Sequence, residues 1–334
     1  MTKGVECLSV THLYAKIFHG VKNKMMFEKI TIIGLGLIGS SLARCIRAQN
    51  LTKKLVAVDA SEDVCAKVKE LGLADIVMPD VGKSVIGSDL VILAIPVSAI
   101  KGVAEQICPV MAPKSVLMDV SSVKRSVIDT IEPLLPESVD LVPAHPIAGT
   151  EHSGPEAGFI ELFDGRWCIL TPSPHTAIQA VEKVSALWEA CGSRIEIMDA
   201  DHHDLVLGIT SHLPHLIAYT IVGTADELED DIKSEVIKYS ASGFRGFTRI
   251  AASDPIMWRD VFIHNREAVL EILQRFNEDL TAMQKAIRRA DGKYLEEMFT
   301  RTRAIRREIT EMGPEGYPNP ALMARGQSPD QEQD

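Results

Sequence analysis

Basic charge is scarce in this chain: 35 lysines and arginines stand against 46 aspartates and glutamates, for a formal net charge of −11. Proteins that hold nucleic acid present a basic face to the phosphates, so a polyanionic partner is not expected. Cysteine pairing is missing as well. Cys7, Cys45, Cys65, Cys108, Cys168 and Cys191 are scattered, with no C-x-x-C pair and no disulfide-like framework, in a chain too long to need covalent staples. That pattern predicts reduced thiols in a cytoplasmic protein. Nor is there a long apolar run: the longest, Leu90 to Ile95, falls far short of the ~20 residues that cross a bilayer. No membrane partner is expected.

What is present is a globular composition, 46% hydrophobic over 334 residues. Cores tend to split beyond roughly 250 to 300 residues, so two domains are expected. The chain is organised around Lys29-Ile30-Thr31-Ile32-Ile33-Gly34-Leu35-Gly36-Leu37-Ile38-Gly39, where β-favouring residues run straight into Gly-x-Gly-x-x-Gly. This reads as strand, tight turn, helix. Gly34 makes the turn, Gly36 lets the backbone approach a pyrophosphate, and Gly39 lets the helix pack closely on its strand. Free N–H groups at the helix start, around Leu37 and Ile38, then face an anion. A second strand, Leu55 to Val58, ends at Asp59, about 20 positions on, where an acid holds the ribose hydroxyls of NAD and disfavours a 2′-phosphate.

From Ile30 to about Leu170 strands and helices alternate, the pattern of a parallel sheet with helices on both faces. Leu90–Ile95, Val116–Val120, Leu141–Val142 and Trp167–Leu170 supply further strands, and Arg194 to Met198 a last one. Ligands in such sheets sit off the carboxyl ends of the strands. That rule points to Pro96-Val97-Ser98, Ser121-Ser122-Val123-Lys124 and Ala144-His145-Pro146-Ile147. From Asp199 onward only helical periodicity remains, including a long tract bent at Pro214 and helices at about 231–240, 255–262, 265–289 and 292–310. The apolar stripe Val269, Ile272, Leu273, Phe276 and Leu280 fits core or a dimer interface.

The expected fold is thus an α/β Rossmann-type doubly wound sheet domain over residues 26–198, followed by an all-helical domain over 199–311 that carries substrate contacts and dimerisation. Residues 1–25 bear Lys3, Lys16, Lys22 and Lys24 against Glu6 alone and show no clear period. A poorly ordered extension with the true start at Met25 or Met26 is favoured over a leader. Arginines of a transit peptide and the apolar core of a secretory signal are both lacking. The tail, 312–334, is expected to be disordered.

Several side chains could carry chemistry. His145 follows a strand at the crevice and could take the proton from an alcohol as its hydride leaves for NAD. Ser122 could hydrogen-bond the same hydroxyl, or merely cap the helix that follows. His212 and His215 lie on one helix face, where a bent helix lining a cleft is favoured over a metal site because no third ligand cluster accompanies them. Arg245 and Arg249, four apart among phenylalanines, offer forks for carboxylates.

Taken together, Gly-Leu-Gly-Leu-Ile-Gly, Ser122-Val-Lys124, His145-Pro-Ile-Ala-Gly-Thr-Glu151, Ser211-His-Leu-Pro-His215 and the segment Phe247 to Asp260 resemble the prephenate and arogenate dehydrogenases of tyrosine biosynthesis. The resemblance runs from about Phe27 to Thr310. It implies NAD-linked oxidative decarboxylation of prephenate or arogenate by a homodimer joined through its helical domains. It also implies His145 as catalytic base, Ser122 as hydroxyl ligand and Arg249 as anchor of the ring carboxylate. His212 and His215 become cleft residues, Thr150 and Glu151 further substrate contacts, and Trp258 an aromatic wall. Related sequences often carry an acid or a different base where this chain has Arg245-Gly246. Two rivals remain on the residues alone: a β-hydroxyacid dehydrogenase of similar plan, which usually relies on a lysine in its helical domain, and a non-catalytic NAD(H)-sensing protein. The presence of His145 and Arg249 argues against both.

Overall fold

The computed structural model describes residues 25–150, 152–227 and 241–311. The expected N-terminal extension, the helix at about 231–240, Glu151 and the C-terminal tail lie outside the described residues. Those that are described form two compact units that divide in sequence between Leu270 and Glu271.

The first unit is built on β1 (Phe27–Ile33), α1 (Leu37–Ala48), β2 (Thr52–Val58), α2 (Glu62–Glu70), β3 (Ile76–Met78), α3 (Val81–Val85) and β4 (Leu90–Leu93). It continues through α4 (Val97–Ile107), β5 (Val116–Asp119), α5 (Arg125–Ile131) and β6 (Asp140–Leu141). All six strands run parallel in the order β3-β2-β1-β4-β5-β6, with Ile30 opposite Leu55 on one side and Leu90 on the other. Parallel strands covered on both faces need apolar residues at every position. Period two then divides them: Ile30, Ile32, Leu55, Leu90 and Ile92 enter one core with Trp188 and Phe163, while Ile33, Val58, Val91 and Leu93 enter the other with Val127 and Trp258. Each fully buried side chain of this kind contributes about 1.5–3 kcal/mol.

The sequence expectation of a single sheet is corrected beyond Leu141. Three short strands, β7 (Ala144–Pro146), β8 (Trp167–Leu170) and β9 (Arg194–Ile197), form a separate sheet in which β7 and β8 are antiparallel. With only the alternation of elements to read, strand order and direction were not accessible. The helix α6 (Ile178–Ala190) joins β8 to β9 and supplies Trp188 to the core.

Beyond β9 the chain is helical. It runs through α7 (Ala200–Leu207), a π-helical turn (Gly208–His212), α8 (Leu213–Asp226), α9 (Ser242–Thr248), a 3₁₀ turn (Arg249–Ala252) and α10 (Pro255–His264). Asp199 caps α7 by accepting from Asp201 N and His202 N. The expected bend at Pro214 takes the form of the π turn just before it, which re-routes the backbone bonds that a proline without N–H cannot make. The continuous tract Ala200–Asp226 is, by length and mean hydropathy of 1.5, long and apolar enough to cross a bilayer. A search for unbroken apolar runs misses it because Asp, His, Ser and Thr recur along it at helical spacing. Its first turns hold buried His203 and Asp204, so the polar side of this tract is used inside the fold. The helices α11 (Arg266–Arg288) and α12 (Gly292–Glu311) follow. In the second unit Leu280, Ile287, Phe299, Ile305 and Ile309 are all exposed, each to 50% or more.

Candidate active site

The glycine turn has the geometry a dinucleotide requires. Gly34 adopts φ +93°, and a Cβ there would lie 2.3 Å from the Ala94 carbonyl oxygen at the end of β4. A Cβ on Gly39 would meet the Gly34 carbonyl oxygen at 2.0 Å. Both positions therefore exclude side chains. At Gly36 the opposite holds: nothing lies within 4 Å of where a Cβ would stand, so the backbone at the start of α1 is open to a phosphate. Asp59, at the end of β2, accepts from Leu35 N at 2.9 Å and Ser61 N at 2.9 Å, which orients its carboxylate beside the turn. Pro96 is the exposed N-cap of α4. Two residues further, Ser98 donates through its backbone N–H and its hydroxyl to Asp260 of α10.

Around the carboxyl end of β5 a buried polar cluster takes shape. Lys124 is fully buried and pairs with equally buried Asp119 at 2.6 Å, and its ammonium also donates to the Ala144 carbonyl at 2.7 Å. This ties the segment after β5 to β7 and fixes the strand on which His145 stands. His145 Nδ1 lies 2.8 Å from His203 Nε2, and His203 Nδ1 lies 2.8 Å from Asp204 Oδ1. Asp204 also accepts from Lys124 N at 2.8 Å and Arg125 N at 2.9 Å, so a residue of α7 caps α5. The alternative reading of Ser122 as that cap is thereby corrected: α5 starts at Arg125 with Lys124 as N-cap, and the Ser122 hydroxyl, half-buried, makes no hydrogen bond among the described residues.

His212 and His215 do share a face, and both meet Trp258. The His215 ring stacks on the indole at 3.5 Å, and His212 approaches it edge-on at 6.0 Å. Asn265 donates to His212 Nδ1 at 2.9 Å, while His212 Nε2 and Trp258 Nε1 are buried donors with no partner among the described residues. Burial lowers the pKa of every histidine in the cluster. His145 falls well below its ordinary 6.5 through burial, then the nearby charges of His203, Lys124 and His212. His203 is lowered mainly by burial, against the opposing pull of Asp204. His212 is lowered to about 4, chiefly by burial, and His215 by burial together with the charge of Arg249. All four are neutral at pH 7. Asp204 stays ionised, with its pKa depressed by its bonds to His203 and the α5 backbone outweighing burial.

Arg249, at the start of the 3₁₀ turn after α9, is exposed and near enough to His215 to influence it. Arg245 and Thr150 are exposed, and among the described residues neither reaches the histidine cluster by a polar contact. Glu151 lies outside the described residues. Sequence reasoning missed His203, Asp204 and Asn265 as members of the cluster. The visible signal was His202-His203-Asp204 inside an apolar helix, where polar residues at its start read equally well as a cap.

A Rossmann-ordered sheet with an open glycine turn, beside a buried neutral histidine and a helical segment carrying Arg249, is what the sequence comparison addresses. The model for the prephenate dehydrogenase nucleotide-binding domain matches residues 42–197, and that for the prephenate dehydrogenase dimerization domain matches residues 199–301. The chain belongs to the prephenate dehydrogenase family. It is an NAD-dependent oxidoreductase. Cyclohexadienyl dehydrogenase of Zymomonas mobilis is 43% identical over 281 residues, 84% of this chain and 96% of that one. Prephenate dehydrogenase of Bacillus subtilis is 31% identical, covering 82% of this chain and 74% of its own. Among solved structures, prephenate dehydrogenase of Aquifex aeolicus in complex with hydroxyphenyl propionate and NAD+ superposes with a TM-score of 0.79 at 32% identity, covering 84% of this chain and 98% of that chain. The family boundary near residue 198 coincides with the change from strands to helices alone.

Proposed function

We propose that this enzyme oxidatively decarboxylates prephenate to 4-hydroxyphenylpyruvate, arogenate to tyrosine, or both, with His145 as the base. The observation that carries this reading is the buried, neutral His145 held at the sheet crevice next to the cluster of His212, His215 and Trp258. NAD, when bound, accepts the hydride from the ring carbon that bears the hydroxyl.

The residues divide the rest of the work. The glycine turn and Asp59 hold the dinucleotide, with Pro96 and Ser122 flanking it. His145 accepts the proton of the ring hydroxyl as hydride departs, and Ser122 keeps that hydroxyl in line. Arg249 binds the ring carboxylate by a charge-assisted pair. Trp258, with His215 stacked on it, makes the wall against the ring, and His212, Thr150, Glu151 and Arg245 complete the substrate contacts. Loss of carbon dioxide leaves an aromatic ring, and aromatisation supplies the driving force.

A cytoplasmic homodimer formed through the helical part fits the same reading. Ile209, Ile221 and Val222 are exposed in the first unit and Ile287, Phe299 and Ile305 in the second, apolar side chains that a partner subunit would cover. The test of the catalytic reading is His145→Asn, assayed with prephenate and with arogenate. NAD affinity should be retained while kcat falls by about 10²–10⁴, the usual weight of general acid–base catalysis. In the parent enzyme kcat/KM should hold steady below pH 6.5 and decline only well beneath it, because the neutral imidazole persists there. A His145→Asn enzyme with parental kcat would refute the assignment.

A further inference from the structure

Two histidines of this cluster have their protons placed by partners that have no choice of role. A carboxylate can only accept. Asp204 Oδ1, 2.8 Å from His203 Nδ1, therefore puts a hydrogen on that nitrogen. His203, neutral and fully buried, is left with a bare Nε2 that must accept, so the His145 Nδ1 at 2.8 Å carries a hydrogen. The remaining nitrogen of His145, Nε2, then holds a lone pair.

The second chain of contacts starts from the same residue and ends the other way. A backbone carbonyl also can only accept, and the Asp204 carbonyl lies 2.8 Å from an amide atom of Asn265, which must be Nδ2. That same Nδ2 is 2.9 Å from His212 Nδ1, so this nitrogen accepts and the hydrogen of His212 sits on Nε2. His212 Nε2 is buried with no partner among the described residues. A buried N–H left without an acceptor is costly, and a bound ligand's oxygen can recover that cost.

We propose that His203, Asp204 and Asn265 are positioning residues that set opposite tautomers on two site histidines, leaving His145 as an acceptor and His212 as a donor toward the substrate. The inference rests on His145 being the base and names what makes it one. Without the His203 arm, His145 is free to place its hydrogen on Nε2 and present a donor where a base is needed. Without Asn265, His212 is free to turn a lone pair toward a substrate oxygen. Among the described residues, the charged or titratable groups that act on this assembly are Lys124 and Asp119 from the β5 edge, Cys168 on β8, His203, Asp204, His212 and His215 from the helical tract, and Arg249 beside His215. Cys168, with its thiol pKa pushed well above the ordinary range by burial, is uncharged and competes for no proton.

The test combines spectroscopy with kinetics on the full chain with NAD bound. Long-range ¹H–¹⁵N spectra of enzyme labelled with ¹⁵N-histidine, assigned by losing one histidine at a time, should show His145 protonated at Nδ1 and His212 at Nε2. Finding the reverse tautomer on either ring overturns the proposal without any variant having to fold. His203→Leu should lower kcat ten- to a hundred-fold, as loss of an orienting partner does for metal-bound histidines. It should leave the KM for prephenate and the affinity for NAD nearly unchanged, and displace the acid limb of the pH profile because the group bonded to His145 Nδ1 is gone. His203→Gln, whose amide oxygen can accept from Nδ1–H, should recover most of the loss. Asn265→Leu should instead raise KM and mix the His212 tautomers. If His145→Asn is inactive while His203→Leu keeps parental kcat and pH profile, the tautomer inference fails and the base assignment stands. If His145→Asn is fully active, the base assignment itself has failed.

Discussion

Replacing Lys124 by methionine removes one half of an ion pair that has no access to water. Both Lys124 and Asp119 are 0% exposed, and their 2.6 Å contact is supplemented on the carboxylate side by Ser121 N, which donates to the same Asp119 oxygen at 2.9 Å. The other oxygen, Oδ1, has no partner among the described residues. Stranding such a carboxylate costs about 3–5 kcal/mol, and Ala144 loses the donor that holds β7. For domains of 150–250 residues each kcal/mol moves Tm by about 2–4 °C, so a fall of roughly 6 to 20 °C is expected. Asp119→Leu combined with Lys124→Met removes both charges and should recover most of that loss, because a buried pair is often no better than apolar residues of like volume. It will not recover all of it, since Ser121 N–H and the Ala144 carbonyl each lose a hydrogen bond worth about 1 kcal/mol. Urea unfolding followed by the fluorescence of buried Trp188 measures this, with the midpoint shifting at constant m. A Lys124→Met enzyme within about 0.5 kcal/mol of the parent, the range of surface changes, or a double variant no more stable than the single one, would refute the reasoning.

Two further outcomes follow from the site. Arg249→Gln should raise the KM for prephenate, with kcat/KM reduced by the equivalent of about 1.5–3 kcal/mol, the scale of a hydrogen bond to a charged group; an unchanged KM would transfer the carboxylate anchor to Arg245. Stability should also fall with acid earlier than carboxylate titration alone produces. His145, His203, His212 and His215 all have lowered folded-state pKa values, so the unfolded chain takes up protons first as pH drops through about 6.5. Their stabilisation is complete above that pH and is lost progressively below it. For His212, lowered to about 4, the loss amounts to about 3 kcal/mol once both states are protonated. A stability that is flat between pH 7 and 5 would contradict the burial of these rings.

Much of this molecule was legible along the chain because its signals are local. A strand that feeds Gly34, Gly36 and Gly39, then an acid after the next strand, is a local pattern whose steric logic reappears unchanged: Gly34 has no room for a Cβ beside Ala94, and Gly39 none beside Gly34. Helical periodicity after Asp199 is equally local, and so are the neighbouring histidines of Ser211-His-Leu-Pro-His215. Strand order was not local. β7 and β8 left the parallel sheet for one of their own, because pairing depends on which edges the fold leaves available, and an apolar tetrapeptide suits either. The same limit explains His203, Asp204 and Asn265. Asp204 lies 80 residues from the Lys124 N–H it caps, and Asn265 lies 53 from the His212 ring it holds. Spacing along the chain carries no trace of such contacts. Residue types and local geometry thus announced a nucleotide turn and a histidine at a strand end, whereas the partners on that histidine's ring were decided by tertiary packing, through side chains brought from distant segments.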